Sequence, residues 1–194
     1  MSTLNLDLNK RYTFADYLTW WDDKRRELID GFVHKMTPAP IRKHQDISME
    51  FSLLFGNYLK GKKCKVYSAP FDVRLPKNGE ENPNEIYNVV QPDITVVCDP
   101  KKLDKKGCIG APDLIVEITS KSTGKRDMKD KYNLYEESGV REYWIAFPEE
   151  KAIHKFVLSD VGKYVLEGMY VEGDIIKPHI FPDLEMEISK IFED

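Results

Sequence analysis

The sequence predicts one α/β domain built on a mixed sheet with helices on its faces. Strand patterns come from both halves of the chain, helical patterns lie between them, and no repeat or low-complexity linker divides the 194 residues. The hydrophobic share of 41% and the charged share of 32% are typical of a globular protein. We therefore expect residues 1–194 to fold as a single domain.

The first predicted elements are a short helix and a β-hairpin. Thr13 and Asp16 have the spacing of a capping box, which predicts a helix from residue 13 to about residue 22. Asp30-Gly31 suits a two-residue hairpin turn, because both central positions of that turn need positive φ. We expect this helix and hairpin, about residues 13–36, to pack on the rest of the domain.

The longest helix is predicted between residues 40 and 61, where apolar residues recur at a spacing of three and four. His44 shares this apolar stripe, so it is either a hydrogen-bonded core residue or an accessory site residue. From Val66 to Leu75, apolar and polar residues alternate as in a strand with one buried face. Pro70 within this strand indicates an edge or a bulge.

The centre of the predicted sheet consists of two strands, Asp93–Cys98 and Leu114–Thr119. A helix is predicted from about residue 125 to residue 138, where Gly139 suits a left-handed C-terminal cap. The apolar strand 142–147 follows, and a meander continues to about residue 167. The apolar strands near the end of the chain are compatible with a homodimer.

Charge, cysteine content and hydropathy limit the classes of protein to which this chain can belong. A net charge of −4 means that polyanion binding would need a local cluster of basic residues. Cys64, Cys98 and Cys108 are odd in number and lack C-x-x-C spacing, which favours reduced thiols in a cytosol and argues against a zinc site. No stretch approaches the roughly 20 apolar residues of a membrane-spanning helix, so we expect a cytoplasmic protein that does not associate with a membrane.

Two carboxylates in the central strands could carry chemistry. Glu117 lies mid-strand among apolar residues, where a buried charge needs a basic side chain or a metal ion to compensate it. With Asp93 on a neighbouring strand, it could hold Mg²⁺ or Mn²⁺, which activates water and stabilises charge on a phosphate. The alternatives are an aspartate that caps a turn after Pro92 and a core ion pair of Glu117 with Lys131 or Lys121.

Basic residues follow the Glu117 strand. Lys121 or Lys131 can reach the face of Glu117, although Lys131 could instead form a surface pair with Asp127, four residues earlier. The local excess of positive charge suits a phosphate track or a solvated helix face, and its members are Lys121, Lys125, Arg126, Lys129 and Lys131.

Several motifs together connect this chain to a known family. They are Pro92-Asp93, Glu117-Ile118-Thr119-Ser120, Asp127-x-x-x-Lys131, Tyr135 and Gly139-Val140-x-Glu142-Tyr143-Trp144, with Glu27-Leu28-Ile29-Asp30-Gly31 and His44-Gln45 upstream. This series resembles the Uma-type family of restriction-endonuclease-like proteins, within the PD-(D/E)XK nuclease superfamily. The resemblance covers nearly the entire chain.

The resemblance implies a restriction-endonuclease-like core sheet flanked by helices, and a DNA endonuclease that depends on Mg²⁺ or Mn²⁺ held by Asp93 and Glu117. The superfamily pattern places a lysine two residues after the glutamate, where this chain has Thr119. The Uma-type pattern instead has a lysine on the following helix, which maps onto Lys131. Glu27 is a further candidate acid near the metal, although solvation at a strand end explains it equally well.

Two other classes of function remain open on the sequence alone. A nuclease scaffold that has lost turnover would serve as a nucleic-acid-binding or dimeric interaction module. A hydrolase of smaller phosphate esters would have a closed pocket in place of an open groove.

Overall fold

The computed structural model describes residues 4–22, 24–36, 41–120 and 127–193. Within these residues the α-helices are α1 (Phe14–Tyr17), α2 (Arg42–Leu59), α3 (Tyr132–Ser138) and α4 (Ile188–Ile191). A π-helical turn, Asp127–Lys131, leads directly into α3. Short 3-10 turns cover Lys77–Gly79 and Pro100–Lys102.

The strands of the described residues are, in chain order, β1 (Arg26–Ile29), β2 (Phe32–Lys35), β3 (Lys65–Ser68), β4 (Val73–Arg74), β5 (Val89–Val90), β6 (Ile94–Val97), β7 (Leu103–Asp104), β8 (Gly107–Ile109), β9 (Leu114–Ile118), β10 (Glu142–Phe147), β11 (Ala152–Leu158), β12 (Tyr164–Tyr170), β13 (Ile175–Ile176) and β14 (Met186–Glu187). The central sheet has the order β12-β11-β10-β9-β6-β3. Within it, β9 and β10 are parallel and the other neighbours are antiparallel, which confirms the predicted mixed sheet.

A second sheet, β2-β1-β5-β4-β8-β7, carries the N-terminal hairpin, and β13 pairs with β14 in a third. The hairpin forms as predicted, because Asp30 and Gly31 both adopt positive φ, 51° and 83°. It joins the rest of the sheet through Leu28, which pairs with Val89.

The central sheet has a different helix on each face. On one face α2 contributes Phe51 and Phe55, which pack against Trp144 of β10 in the larger core cluster. On the other face Tyr135 of α3 packs with Tyr143 and Ile115. Because successive residues of a strand point to opposite faces, Glu117 shares the α3 face with Ile115.

The N-terminal helix is shorter than predicted. The capping box of Thr13 and Asp16 is present, but α1 ends at Tyr17. The Thr19 hydroxyl donates to the Asp16 carbonyl at 2.6 Å, and such a local side-chain hydrogen bond competes with continued helix.

The single strand predicted from Val66 to Leu75 is wrong. The segment forms two strands, β3 and β4, which belong to different sheets. Pro70 lies between them and has no backbone N–H to contribute to a ladder. Its indication of an edge is confirmed, since β3 is an edge strand of the central sheet.

The prediction of three reduced thiols is also wrong. The antiparallel register of β3 and β6 pairs Lys65 with Val97, so Cys64 and Cys98 lie opposite each other one step further along. They form a disulfide with an S–S distance of 2.08 Å. The argument for a cytosolic location from reduced cysteines therefore no longer holds. Within the described part of the chain, no helix combines the length and apolar character needed to cross a membrane.

Thiol counting tests this disulfide. Cys108 is buried, and burial raises its pKa to about 12, so it should not react with Ellman's reagent in the native protein at pH 8. We expect no reactive thiol in the native protein, one after denaturation, and three after denaturation with prior reduction. Three thiols in the denatured, unreduced protein would contradict the Cys64–Cys98 pairing.

Candidate metal centre

Two of the predicted acids meet at one end of neighbouring strands. β6 and β9 are antiparallel with Ile94 opposite Val116, so Asp93 lies opposite Glu117 one step beyond. The backbone N–H of Ile118 donates to Asp93 Oδ2 at 2.8 Å, which fixes this carboxylate against β9. The register of two strands therefore brings together the two carboxylates that the sequence singled out.

Lys131 lies directly against Glu117, one member of this pair. Its Nζ is 2.8 Å from Glu117 Oε1 and 2.8 Å from Glu27 Oε1. The lysine is 2% exposed, so it is not a surface lysine. Lys131 ends the π-helical turn, a distortion that is frequent at functional sites.

Glu27 extends the cluster from the second sheet. It lies in β1 and is 0% exposed, so the explanation by solvation at a strand end is wrong. Its Oε1 also accepts the backbone N–H of Gln91 at 3.0 Å. Lys131 consequently bridges two buried carboxylates that come from two different sheets.

Tyr135 is a further member, which the sequence analysis named as part of the family motif but not as a site residue. Its hydroxyl donates to Glu117 Oε1 at 2.7 Å. Burial, followed by the charges of Glu117 and Glu27, raises the pKa of Tyr135 well above its ordinary value, so the phenol keeps the proton that it donates. The signal was its position four residues after Lys131, which places both side chains on one helix face.

His44 reaches the centre from α2. Its Nε2 is 3.3 Å from Asp93 Oδ2. Burial acts to lower the pKa of His44, but the hydrogen bond and the charge of Asp93 outweigh it and raise that pKa above the ordinary value. Its Nδ1 is buried and has no hydrogen-bond partner among the described residues. His44 therefore lies on the core stripe and also contacts a candidate metal ligand.

Asp113 shows what a purely capping aspartate looks like in this fold. Like Asp93, it follows a proline and precedes a strand, and its Oδ2 accepts the N–H of Cys98 at 2.7 Å. Its Oδ1 pairs with the exposed Arg141, at 3.4 Å. Asp93 has the same backbone role, but it faces Glu117 and His44 in addition.

Thr119 and the basic residues that follow β9 do not form a common surface site among the described residues. The hydroxyl of Thr119 donates to the Ala146 carbonyl at 3.1 Å, so it bonds within the sheet. Lys121, Lys125 and Arg126 lie outside the described residues, and Lys129 is exposed. Because Lys131 is buried, it does not belong to a surface phosphate track.

Asp93 and Glu117 are carboxylates, the donor type that a small divalent cation prefers. Among the described residues, no group of three or more acidic, histidine or cysteine side chains is placed so that it could hold a metal ion. Mg²⁺ does not require one, because it commonly takes one or two carboxylates and completes its shell with water and phosphate oxygens. Asp93 and Glu117 supply such a pair. The Asp93 side chain is 16% exposed and that of Glu117 is 5% exposed, so the centre is more open on the Asp93 side.

A separate depression of about 290 Å³ is lined by the hairpin turn and by residues of the 77–88 segment. It contains none of the predicted site residues. It therefore gives no support to a hydrolase of small phosphate esters at the Asp93 centre.

Comparison with known proteins agrees with this architecture. The model of the Uma2 family, described as "Putative restriction endonuclease", matches residues 14–189. The uncharacterized protein slr1290 of Synechocystis is 27% identical over 154 residues, which cover 78% of this chain and 76% of that protein. A crystal structure from Anabaena variabilis, described as "a putative nuclease belonging to DUF820", has a TM-score of 0.72 at 17% identity and covers 93% of this chain and 97% of that chain. This likeness shows a shared fold.

Proposed function

Since the chain belongs to the Uma2 family, we propose that it is a metal-dependent DNA endonuclease that hydrolyses phosphodiester bonds. The observation that carries the proposal is the buried Lys131, which contacts Glu117 on the strand beside Asp93. Lys131 would thus replace the lysine that the superfamily pattern places at the position of Thr119. Two acids at adjacent strand ends, with a helical lysine beside one of them, are the residue types that phosphodiester hydrolysis needs.

Each residue has a role in this proposal. Asp93 and Glu117 would hold Mg²⁺ or Mn²⁺. When bound, this ion would activate water and stabilise negative charge on the phosphate. Lys131 holds a positive charge beside Glu117, where it can orient the attacking water or stabilise the transition state. His44 orients Asp93, and Tyr135 and Glu27 hold Glu117 and Lys131 in place. A cytoplasmic location and a homodimer stay predictions.

A second candidate function is a non-catalytic nucleic-acid-binding module. It is favoured by one observation: Glu117 Oε1 already accepts from both Lys131 and Tyr135, as in a structural ion pair of a core. Metal binding distinguishes the two candidates, because a structural pair of Glu117 with Lys131 does not require a metal ion.

Binding of Mn²⁺, followed by electron paramagnetic resonance, tests the proposal without a choice of DNA. We expect saturable Mn²⁺ binding by the wild type, retained by Asp113→Asn and lost in Asp93→Asn. The two variants remove the same charge from equivalent strand-capping positions, so the comparison isolates the centre. Absence of binding by the wild type, or equal binding by both variants, would favour the non-catalytic module.

A further inference from the structure

Arg25 differs from the other arginines that the structure describes. Each of the other five pairs with an aspartate at 3.8 Å or less, in the pairs Arg11–Asp30, Arg26–Asp22, Arg42–Asp46, Arg74–Asp104 and Arg141–Asp113. Arg25 is exposed and has no carboxylate partner within the described residues. In an acidic protein with a net charge of −4, such an arginine presents a local positive charge to the solvent.

The orientation of Arg25 is set by a buried glutamine. Its Nε donates to Gln91 Oε1 at 2.8 Å, and the amide nitrogen of Gln91 donates to Asp72 Oδ1 at 2.8 Å. Because its two ends have different partners, the Gln91 amide has one orientation and presents its oxygen to Arg25. The guanidinium is thereby held by Nε, and its two Nη groups form no hydrogen bond within the described part of the chain.

Gln91 also places Arg25 beside the candidate metal centre. The backbone N–H of Gln91 donates to Glu27 Oε1, the oxygen that contacts Lys131. Asp93 follows Gln91 by two residues, and Arg25 precedes Glu27 by two residues. The guanidinium of Arg25 therefore lies at the rim of the same cluster, and hydrogen bonds of Gln91 connect the two.

We infer that Arg25 binds a backbone phosphate of the nucleic acid that occupies the centre. The inference rests on the proposed function and names the residue that positions the substrate. A guanidinium presents two parallel N–H donors that match two phosphate oxygens, which an ammonium group does not. The phosphate contact adds affinity without base specificity, because every nucleotide supplies the same phosphate group.

The test is binding of fluorescein-labelled DNA in EDTA, followed by anisotropy at several salt concentrations. We expect Arg25→Ala to weaken binding about tenfold and to lower the slope of log affinity against log salt by about 0.9, as for the loss of one phosphate contact. Arg141→Ala is the matched control, because Arg141 is also exposed but already pairs with Asp113. Arg25→Lys should keep the salt slope and lose part of the affinity.

The outcomes separate this inference from the proposed function. Equal affinity and salt slope in Arg25→Ala and the wild type would overturn the inference, even if the wild type cuts DNA with Mn²⁺. A selective loss of binding in Arg25→Ala would support it, even if the protein proves unable to cut. A wild type that neither binds nor cuts DNA would overturn both.

Discussion

Asp93→Asn is expected to reduce metal-dependent DNA cleavage by more than about 100-fold. Partners that only orient metal ligands typically contribute 10- to 100-fold, so loss of a ligand charge should cost more. Asparagine keeps the shape of the side chain and an oxygen that can accept the Ile118 N–H. The expected defect is therefore in the reaction and not in the fold, and initial cleavage rates at saturating Mn²⁺ measure it.

Asp113→Asn is the control for this variant. Asp113 also follows a proline and also accepts a backbone N–H from the neighbouring strand, that of Cys98. If Asp93 acted only as a turn cap, both variants would have the same effect. Equal cleavage rates in the two variants would thus remove Asp93 from the reaction.

Lys131→Met is expected to lower the free energy of unfolding by about 3–5 kcal/mol. Lys131 is the cation that contacts both Glu27 and Glu117, and these carboxylates are almost completely excluded from solvent. Removal of one partner of a buried ion pair leaves the other charge uncompensated, which costs this amount. Urea unfolding followed by circular dichroism measures the change.

Two further variants identify the cause of this loss. Lys129→Met removes an exposed lysine of the same turn and should change the free energy of unfolding by less than about 0.5 kcal/mol. Glu27→Gln should restore part of the stability in the Lys131→Met background, because it removes one of the two buried charges. A Lys131→Met protein as stable as Lys129→Met would contradict the buried bridge.

The sequence was sufficient for the part of the centre that lies within one strand and the following helix. Alternation along β9 places Glu117 on the same face as Ile115, and the four-residue helical spacing brings Lys131 and Tyr135 to one side. These relations depend on local geometry, so periodicity predicts them. The choice of Lys131 over Lys121 came from the family resemblance. Asp93 was proposed as the second carboxylate because its strand was expected to neighbour that of Glu117, but its position directly opposite Glu117 requires the register of the two strands.

The rest depended on long-range pairing that a single sequence does not specify. Glu27 is buried because β1 pairs with β5 and so lies beside Gln91, 64 residues later. Cys64 and Cys98 meet because β3 and β6 are adjacent, although 34 residues separate them. In both cases the residue types gave no local signal, and only the strand register determined their partners.

Cleavage of linear, single-stranded and branched DNA by the wild type, with Mg²⁺, Mn²⁺ or EDTA, tests the central claim most directly. The proposed function predicts cutting of at least one substrate with a divalent ion, none in EDTA, and loss of that cutting in Asp93→Asn but not in Asp113→Asn. No cutting of any substrate by the folded wild type, or cutting that persists in EDTA, would contradict a metal-dependent centre at Asp93 and Glu117.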